Sequence, residues 1–281
     1  MVSSDRNCAI EPAAELPAEA GTIRYAAVLE YDGTKFAGWQ RQQHAVTIQQ
    51  AVEEALAAVA AHPIEVVCAG RTDAGVHAVH QVIHFDSTAV RSSTAWIRGA
   101  NSHLPGSIRL WWAEPVAPDF HARFKALSRR YRYIIASRPV LPALYRDRVA
   151  WTYKPLDAER MHQAGQALVG EHDFSSFRAA ECQAKHARRE IYSLSVQRRG
   201  DLLYLDVEAN AFLHHMVRNI AGVLMAVGSG EQPVQWAAEV LAARDRRLAG
   251  VTAPPQGLYL VGVRYPAHYG LPEPGAGPVF S

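Results

Sequence analysis

The chain has 281 residues, 49% of them hydrophobic, with 29 basic and 27 acidic side chains and a formal net charge of +2. That length buries a sizeable core and suits two domain-sized halves, while so small a net charge neither demands nor excludes a polyanionic partner. Three cysteines, Cys8, Cys68 and Cys182, lie far apart in no CxxC spacing, which argues against a disulfide framework or a zinc knuckle and fits a reducing cytoplasm.

Residues 1–21 are rich in Ala, Pro and Glu without an apolar centre, and read as a loose, disordered tail rather than a signal peptide. Alternation predicts a strand over 23–31. A helical pattern through Val52, Ala55, Leu56 and Val59 predicts a helix over 47–60, opened by the capping box Thr47-x-x-Gln50. Two β-like runs follow, 64–68 and 79–85. A helix over 94–104 capped by Thr94 and a strand over 108–116 complete the split βαβ order β-α-β-β-α-β in an N-terminal half, 22–118.

The next strands are expected over 131–136 and 149–153, then a helix over 157–169 with Asp157 as N-cap and Gly170 past its end. A hairpin of 190–197 and 202–209 turns at Arg198-Arg199-Gly200-Asp201. Helices over 213–227 and 233–243, the second with Pro in its first turn, and a strand over 257–265 complete a C-terminal half, 119–266. Residues 267–281 are Pro and Gly rich and read as an irregular tail. No run approaches the roughly 20 apolar residues of a membrane helix, so no membrane partner is expected. The fold class is therefore α+β: two pseudo-symmetric β-α-β-β-α-β halves with largely antiparallel or mixed sheets flanked by helices, sharing sheet edges around a cleft.

Between the runs 64–68 and 79–85 stands the polar turn Gly70-Arg71-Thr72-Asp73-Ala74-Gly75-Val76-His77. Asp73 beside Arg71, with glycines permitting sharp turns, suggests a carboxylate kept ionised by a cation and offered to a substrate. An Asx-turn residue bonding its own backbone fits the spacing equally well. Arg123, Lys125, Arg129, Arg130 and Arg132 are interleaved with Phe124, Tyr131 and Tyr133, and smaller basic clusters occur at 185–189, from Lys185 to Arg189, and at 244–247. Basic groups hold phosphates and aromatic faces stack on bases, so the mixture fits single-stranded or looped RNA; a solvated strand face explains any one cluster as well. His77, His80 and His84, with His214 and His215 downstream, raise the alternative of a metal-dependent hydrolase. In a strand, however, His77 points away from the other two, and no metal is expected.

The Asp73 loop resembles the signature of the tRNA pseudouridine synthase A family. So do Tyr31-Asp32-Gly33-Thr34 with Gly38-Trp39-Gln40, Phe120-His121-Ala122-Arg123-Phe124, Arg129-Arg130-Tyr131-Arg132-Tyr133, Asp173-Phe174-Ser175-Ser176-Phe177, and Phe212-Leu213-His214-His215-Met216-Val217-Arg218-Asn219, in the family's order from about residue 22 to 266. The resemblance implies isomerisation of uridines 38, 39 and 40 in the tRNA anticodon arm to pseudouridine, by a cytoplasmic homodimer without a cofactor. It implies catalytic roles for Asp73, for Arg218 as the basic partner of that carboxylate, and for Tyr131, which would stack on a flipped uracil. Arg71 would enter the stack where the uridine leaves, and Leu258 would cover the base. Lys35, Phe36, Trp39, Arg41, Phe124, Lys125, Arg129, Arg130 and Arg132 are the further expected tRNA contacts. A protein that grips structured RNA without chemistry is the remaining alternative, and Asp73→Asn separates the two.

Overall fold

The computed structural model describes residues 21–179, 182, 184 and 186–280; all but the last residue of the tail expected over 1–21, and Lys185, lie outside them. One mixed sheet runs through the molecule. Its strands are β1 (Ile23–Tyr31), β2 (Val67–Cys68), β3 (His77–Ser87), β4 (Ile108–Pro115), β5 (Ser128–Ser137), β6 (Ala150–Thr152), β7 (Gly170–Asp173), β8 (Arg188–Arg199), β9 (Leu202–Ala209) and β10 (Leu258–Arg264). The helices are α1 (Ile48–Ala60), α2 (Ser93–His103), α3 (Ala158–Gln166), α4 (Met216–Gly228) and α5 (Trp236–Ala243). The sheet order is β4-β1-β3-β10-β5-β9-β8-β7, with β2 on β3 and β6 on β5.

The repeat expected from element order is visible in that pairing. In the first half β4, β1, β3 and β2 lie side by side; in the second, β10, β5, β9 and β8 do the same. The halves join where β10 lies parallel to β3, Tyr259 opposite His77 and Leu260 opposite Ala78. Farther along the same edge of β3, β2 pairs antiparallel, Val67 opposite His84 and Cys68 opposite Ile83. The Asp73 loop connects β2 to β3 and therefore emerges where the sheet passes from one half to the other.

Several boundaries differ from the sequence expectation for local reasons. Thr47 caps α1 by accepting from the Gln50 N–H, but the Gln50 side chain turns to Glu54, so the box is not reciprocal. The cap of α2 is Ser92, not Thr94; consecutive hydroxyl residues offer the same chemistry, and spacing alone does not rank them. Gly170, at φ 102°, opens β7 rather than closing α3, which ends at Gln166. Helix α4 begins only at Met216 because His215 adopts a left-handed conformation at φ 61°.

Pleat alternation divides β5, β9 and β10 between two cores. Tyr131, Tyr133 and Ile135, with Leu203, Leu205, Val207, Leu258 and Leu260, face the helices. Ile134, Ala136, Leu202, Tyr204, Tyr259 and Val261 face the other side, where Phe280 packs against them. Beyond a short turn at Ala267–Tyr269 the C-terminal tail is irregular, yet it lies across that second face. Pro272 and Pro278 accept hydrogen bonds from His80 and Arg132 at 3.3 and 3.0 Å, and Gly275 accepts one from Arg130.

Candidate active site

The Asp73 loop is held by groups from both of its flanks. Trp39 N–H donates to the Thr72 carbonyl at 2.9 Å, and the Tyr31 hydroxyl shares a 2.8 Å hydrogen bond with the Thr72 hydroxyl. Gln81 donates to the Gly70 carbonyl at 2.6 Å, and Arg129 to the Ala69 carbonyl at 3.1 Å. Gly33 is required by close approach: a Cβ there would lie 1.9 Å from the Val76 carbonyl oxygen. Gly38 sits at φ 95°, and its Cβ would come within 2.8 Å of the Thr72 carbonyl. Gly75, at φ 77°, supplies the turn after Asp73.

Helix α4 brings the cation. Arg218 Nη1 donates to Asp73 Oδ2 at 2.8 Å across 145 residues of sequence, and its Nε donates to the Ala253 carbonyl at 2.9 Å. Ala253 N–H in turn reaches the Arg218 carbonyl at 3.1 Å. The guanidinium is therefore fixed at both ends, which orients the carboxylate. His214 and His215 approach as well, their Nε2 atoms 3.4 Å from Oδ1 and 3.3 Å from Oδ2 of Asp73.

Tyr131 lies beside this cluster, 8% exposed, its ring edge-on to Phe212 at 5.0 Å between centroids. Burial, and then the Asp73 charge, push its hydroxyl well above the usual phenol range, so it is neutral at ordinary pH. Leu258, 6% exposed, opens β10 opposite Tyr133. Arg71 is exposed on the loop itself. The geometry thus gathers Asp73, Arg218 and Tyr131 from three separated segments, with Arg71 and Leu258 on the adjoining loop and strand.

The wider set of expected tRNA contacts divides. Lys35, Arg41 and Phe124 are exposed, and Lys125 is partly so. Arg41 is engaged by Glu53 at 2.8 Å and Lys125 by Asp119 at 3.0 Å. Phe124, 74% exposed, packs on His121 with Arg123 over its ring. Phe36 and Trp39, 7% and 1% exposed, are corrected to core residues: the 31–41 segment braces the Asp73 loop with its aromatics turned inward. Arg129 is likewise buried, spending its guanidinium on the carbonyls of Ala69, Arg123, Ala126 and Asn210. Arg130 and Arg132 alternate to the face opposite Tyr131, where Arg132 is held bidentately by Asp206 at 2.8 Å.

The histidines of β3 serve separate structural ends. His77 Nδ1 accepts from Gly33 N–H at 3.1 Å and its Nε2 faces the Asp147 and Gln256 carbonyls, His84 Nδ1 accepts from Ala122 N–H at 3.1 Å, and His80 meets the tail. Because the Gly33 proton occupies Nδ1, the nearby Asp32 carboxylate at 3.2 Å is satisfied by Arg148 and Thr34 rather than by an imidazolium. Among the described residues, the acid and histidine groups close enough to share an ion are instead Asp73, His214 and His215. From sequence, His214 and His215 take a role only in the metal-hydrolase alternative, alongside the β3 histidines; their adjacency to Asp73 instead follows the left-handed turn at His215.

The pattern of the tRNA pseudouridine synthase family matches residues 27–125 and 164–266. The chain is 52% identical over 275 residues to the tRNA pseudouridine synthase A of Pseudomonas aeruginosa, covering 98% of this chain and 96% of the relative. It is 56% identical over 258 residues to that of Legionella pneumophila strain Lens, covering 92% and 98%. The corresponding protein of Tolumonas auensis is 54% identical over 258 residues, covering 92% and 99%.

Proposed function

Since the chain belongs to the tRNA pseudouridine synthase family, we propose that it isomerises uridines 38, 39 and 40 of the tRNA anticodon arm, with Asp73 as the catalytic carboxylate. The observation that carries this reading is the 2.8 Å pair between Asp73 and Arg218, formed where the two halves of the sheet meet and flanked by the buried Tyr131.

The reaction breaks the bond from N1 to C1′, turns the uracil and rejoins it through C5, which then loses its hydrogen. Asp73 acts either by attacking C1′ or by removing the C2′ proton, and both need the carboxylate that Arg218 orients. Tyr131 offers its ring as the surface on which the flipped base stacks. Leu258 covers that base, and Arg71 enters the space it leaves. Lys35, Arg41, Phe124 and Lys125 are the exposed groups that would meet phosphates and loop bases. The isomerisation leaves the oxidation state of the nucleoside unchanged, so no redox cofactor is called for. The protein works as a cytoplasmic homodimer in this reading, which sedimentation at twice the chain mass would support.

The test is tritium release from tRNA labelled at uridine C5, comparing the intact protein with Asp73→Asn. Release by the intact protein, lost in the variant while tRNA binding is kept, is expected. Binding without release from any competent tRNA would leave an RNA-binding protein that performs no chemistry. Carbodiimide mapping of the product locates the modified positions.

A further inference from the structure

We propose that Asp73, His214 and His215 form an inhibitory binding site for a borderline-soft divalent ion of the Zn²⁺ type. Each of the three offers one ligand atom, and these atoms lie within 4.8 Å of one another. The Nε2 atoms of His214 and His215 stand 3.4 and 3.3 Å from the two Asp73 oxygens. In a tetrahedral zinc site, with bonds of about 2.0–2.2 Å, neighbouring ligand atoms are about 3.3–3.5 Å apart. Each histidine-to-carboxylate spacing falls in that range, one to either oxygen, and all three ligand atoms lie close enough for small side-chain rotations to bring them around one ion.

One feature of the chain produces this convergence. Neighbouring side chains in an extended segment point to opposite sides, but His215 is left-handed at φ 61°, and the two imidazole centroids come to 4.0 Å. A non-glycine residue in that conformation stores strain that its surroundings must hold in place. The site also remains reachable, with the side chains of His214, His215 and Asp73 37%, 26% and 23% exposed.

Arg218 sets the selectivity. Its guanidinium is 2.8 Å from Asp73 Oδ2, so a hard cation that relies on carboxylate charge gains little here. Imidazole nitrogen suits Zn²⁺ and Cu²⁺, whereas Mg²⁺ prefers oxygen ligands and keeps its waters. The Mg²⁺ that accompanies tRNA therefore leaves the site alone. An ion bound through two histidines and Asp73 removes the carboxylate from the reaction and blocks the uridine.

Binding is measured on the intact protein by titrating Zn²⁺ against a chromophoric chelator, with tRNA absent. One equivalent is expected for the wild type. His214→Gln and His215→Gln each remove a ligand and should weaken binding by more than the ~10–100-fold that losing an outer-shell partner costs. Circular dichroism of both variants checks that they fold. No stoichiometric binding, or binding unchanged in both folded variants, overturns the site.

The inhibition arm rests on the isomerase reading: Zn²⁺ should stop tritium release, chelator should restore it, and millimolar Mg²⁺ should have no such effect. Loss of activity on chelation would make the ion a requirement and overturn the inhibitory role. A protein inactive under every condition that still binds one zinc through these histidines would sink the isomerase reading and leave the site standing.

Discussion

Arg218 tests how much of the site is geometry and how much is charge. Its side chain spans Asp73 and the Ala253 carbonyl with separate nitrogens, a fork that lysine cannot reproduce. Arg218→Lys is expected to lower kcat about 10–100-fold with KM little changed, since a displacement of about 1 Å at a reacting group costs that much; single-turnover assays on tRNA check it. Tyr131→Phe keeps the stacking ring, and what acts on the hydroxyl is burial and the nearby charges of Asp73 and Arg129 rather than a hydrogen bond. That variant should unfold at the wild-type midpoint, and any loss of kcat then isolates a role for the hydroxyl. Asp73, Tyr131 and Arg218 were legible as a set because their motifs occur together in the expected order. The run from Arg129 to Arg132 misled, because charge counted along a chain ignores the pleat. Arg129 points inward to tie loop carbonyls, while Arg130 and Arg132 serve the opposite face.

At the scale of elements, β3 couples pH to stability. Burial, reinforced by the charges of His121 and Arg24, lowers the His84 pKa to about 3, and burial likewise lowers those of His77 and His80. Between pH 3 and the unfolded value near 6.5 the unfolded chain binds more protons at His84 than the folded one. Its contribution is therefore complete above about pH 6.5 and is lost as the pH falls toward 3. Urea midpoints should decline from pH 7 to 4, and His84→Asn, which keeps an acceptor for Ala122 N–H, should flatten that slope. The loop before α1 makes a second case. Gly33→Ala forces a Cβ against the Val76 carbonyl and should cost about 1–3 kcal/mol by over-packing. It should also lower kcat by displacing the Asp73 loop, both readable on the purified variant. Most elements were legible from periodicity and caps, as with β1, whose expected span matches the structure. The start of α4 was not, since nothing local marks His215 for a left-handed turn, and β7 is too short and polar to show alternation.

Across the whole molecule, the tail and the helices cover opposite faces of one sheet. Deleting residues 272–281 removes the Phe280 packing on Tyr145 and Tyr259 and the carbonyls that meet His80, Arg130 and Arg132. Losing about 2 kcal/mol of aromatic burial should lower the thermal midpoint by roughly 4–8 °C. Turnover should persist, because the Tyr131 side chain and the Asp73–Arg218 pair face the helix side of the sheet, opposite the tail. Calorimetry with the tritium assay separates the two effects. The doubled β-α-β-β-α-β order could be read from sequence; the tail's course could not, since its contacts are backbone carbonyls that any residue supplies.

The parallel seam between β3 and β10 also fixes when the enzyme comes into being. The ribosome delivers Asp73 early, whereas Arg218, and then Tyr259 and Leu260 that close the seam on His77 and Ala78, come much later. At roughly 5–20 residues per second that interval is on the order of 10–40 s. Throughout it the nascent chain carries the acid without its cation and β3 without its neighbour. A translation product halted before β10 is thus not a slow enzyme but an unfinished sheet, with an open strand edge for chaperones or aggregation to find.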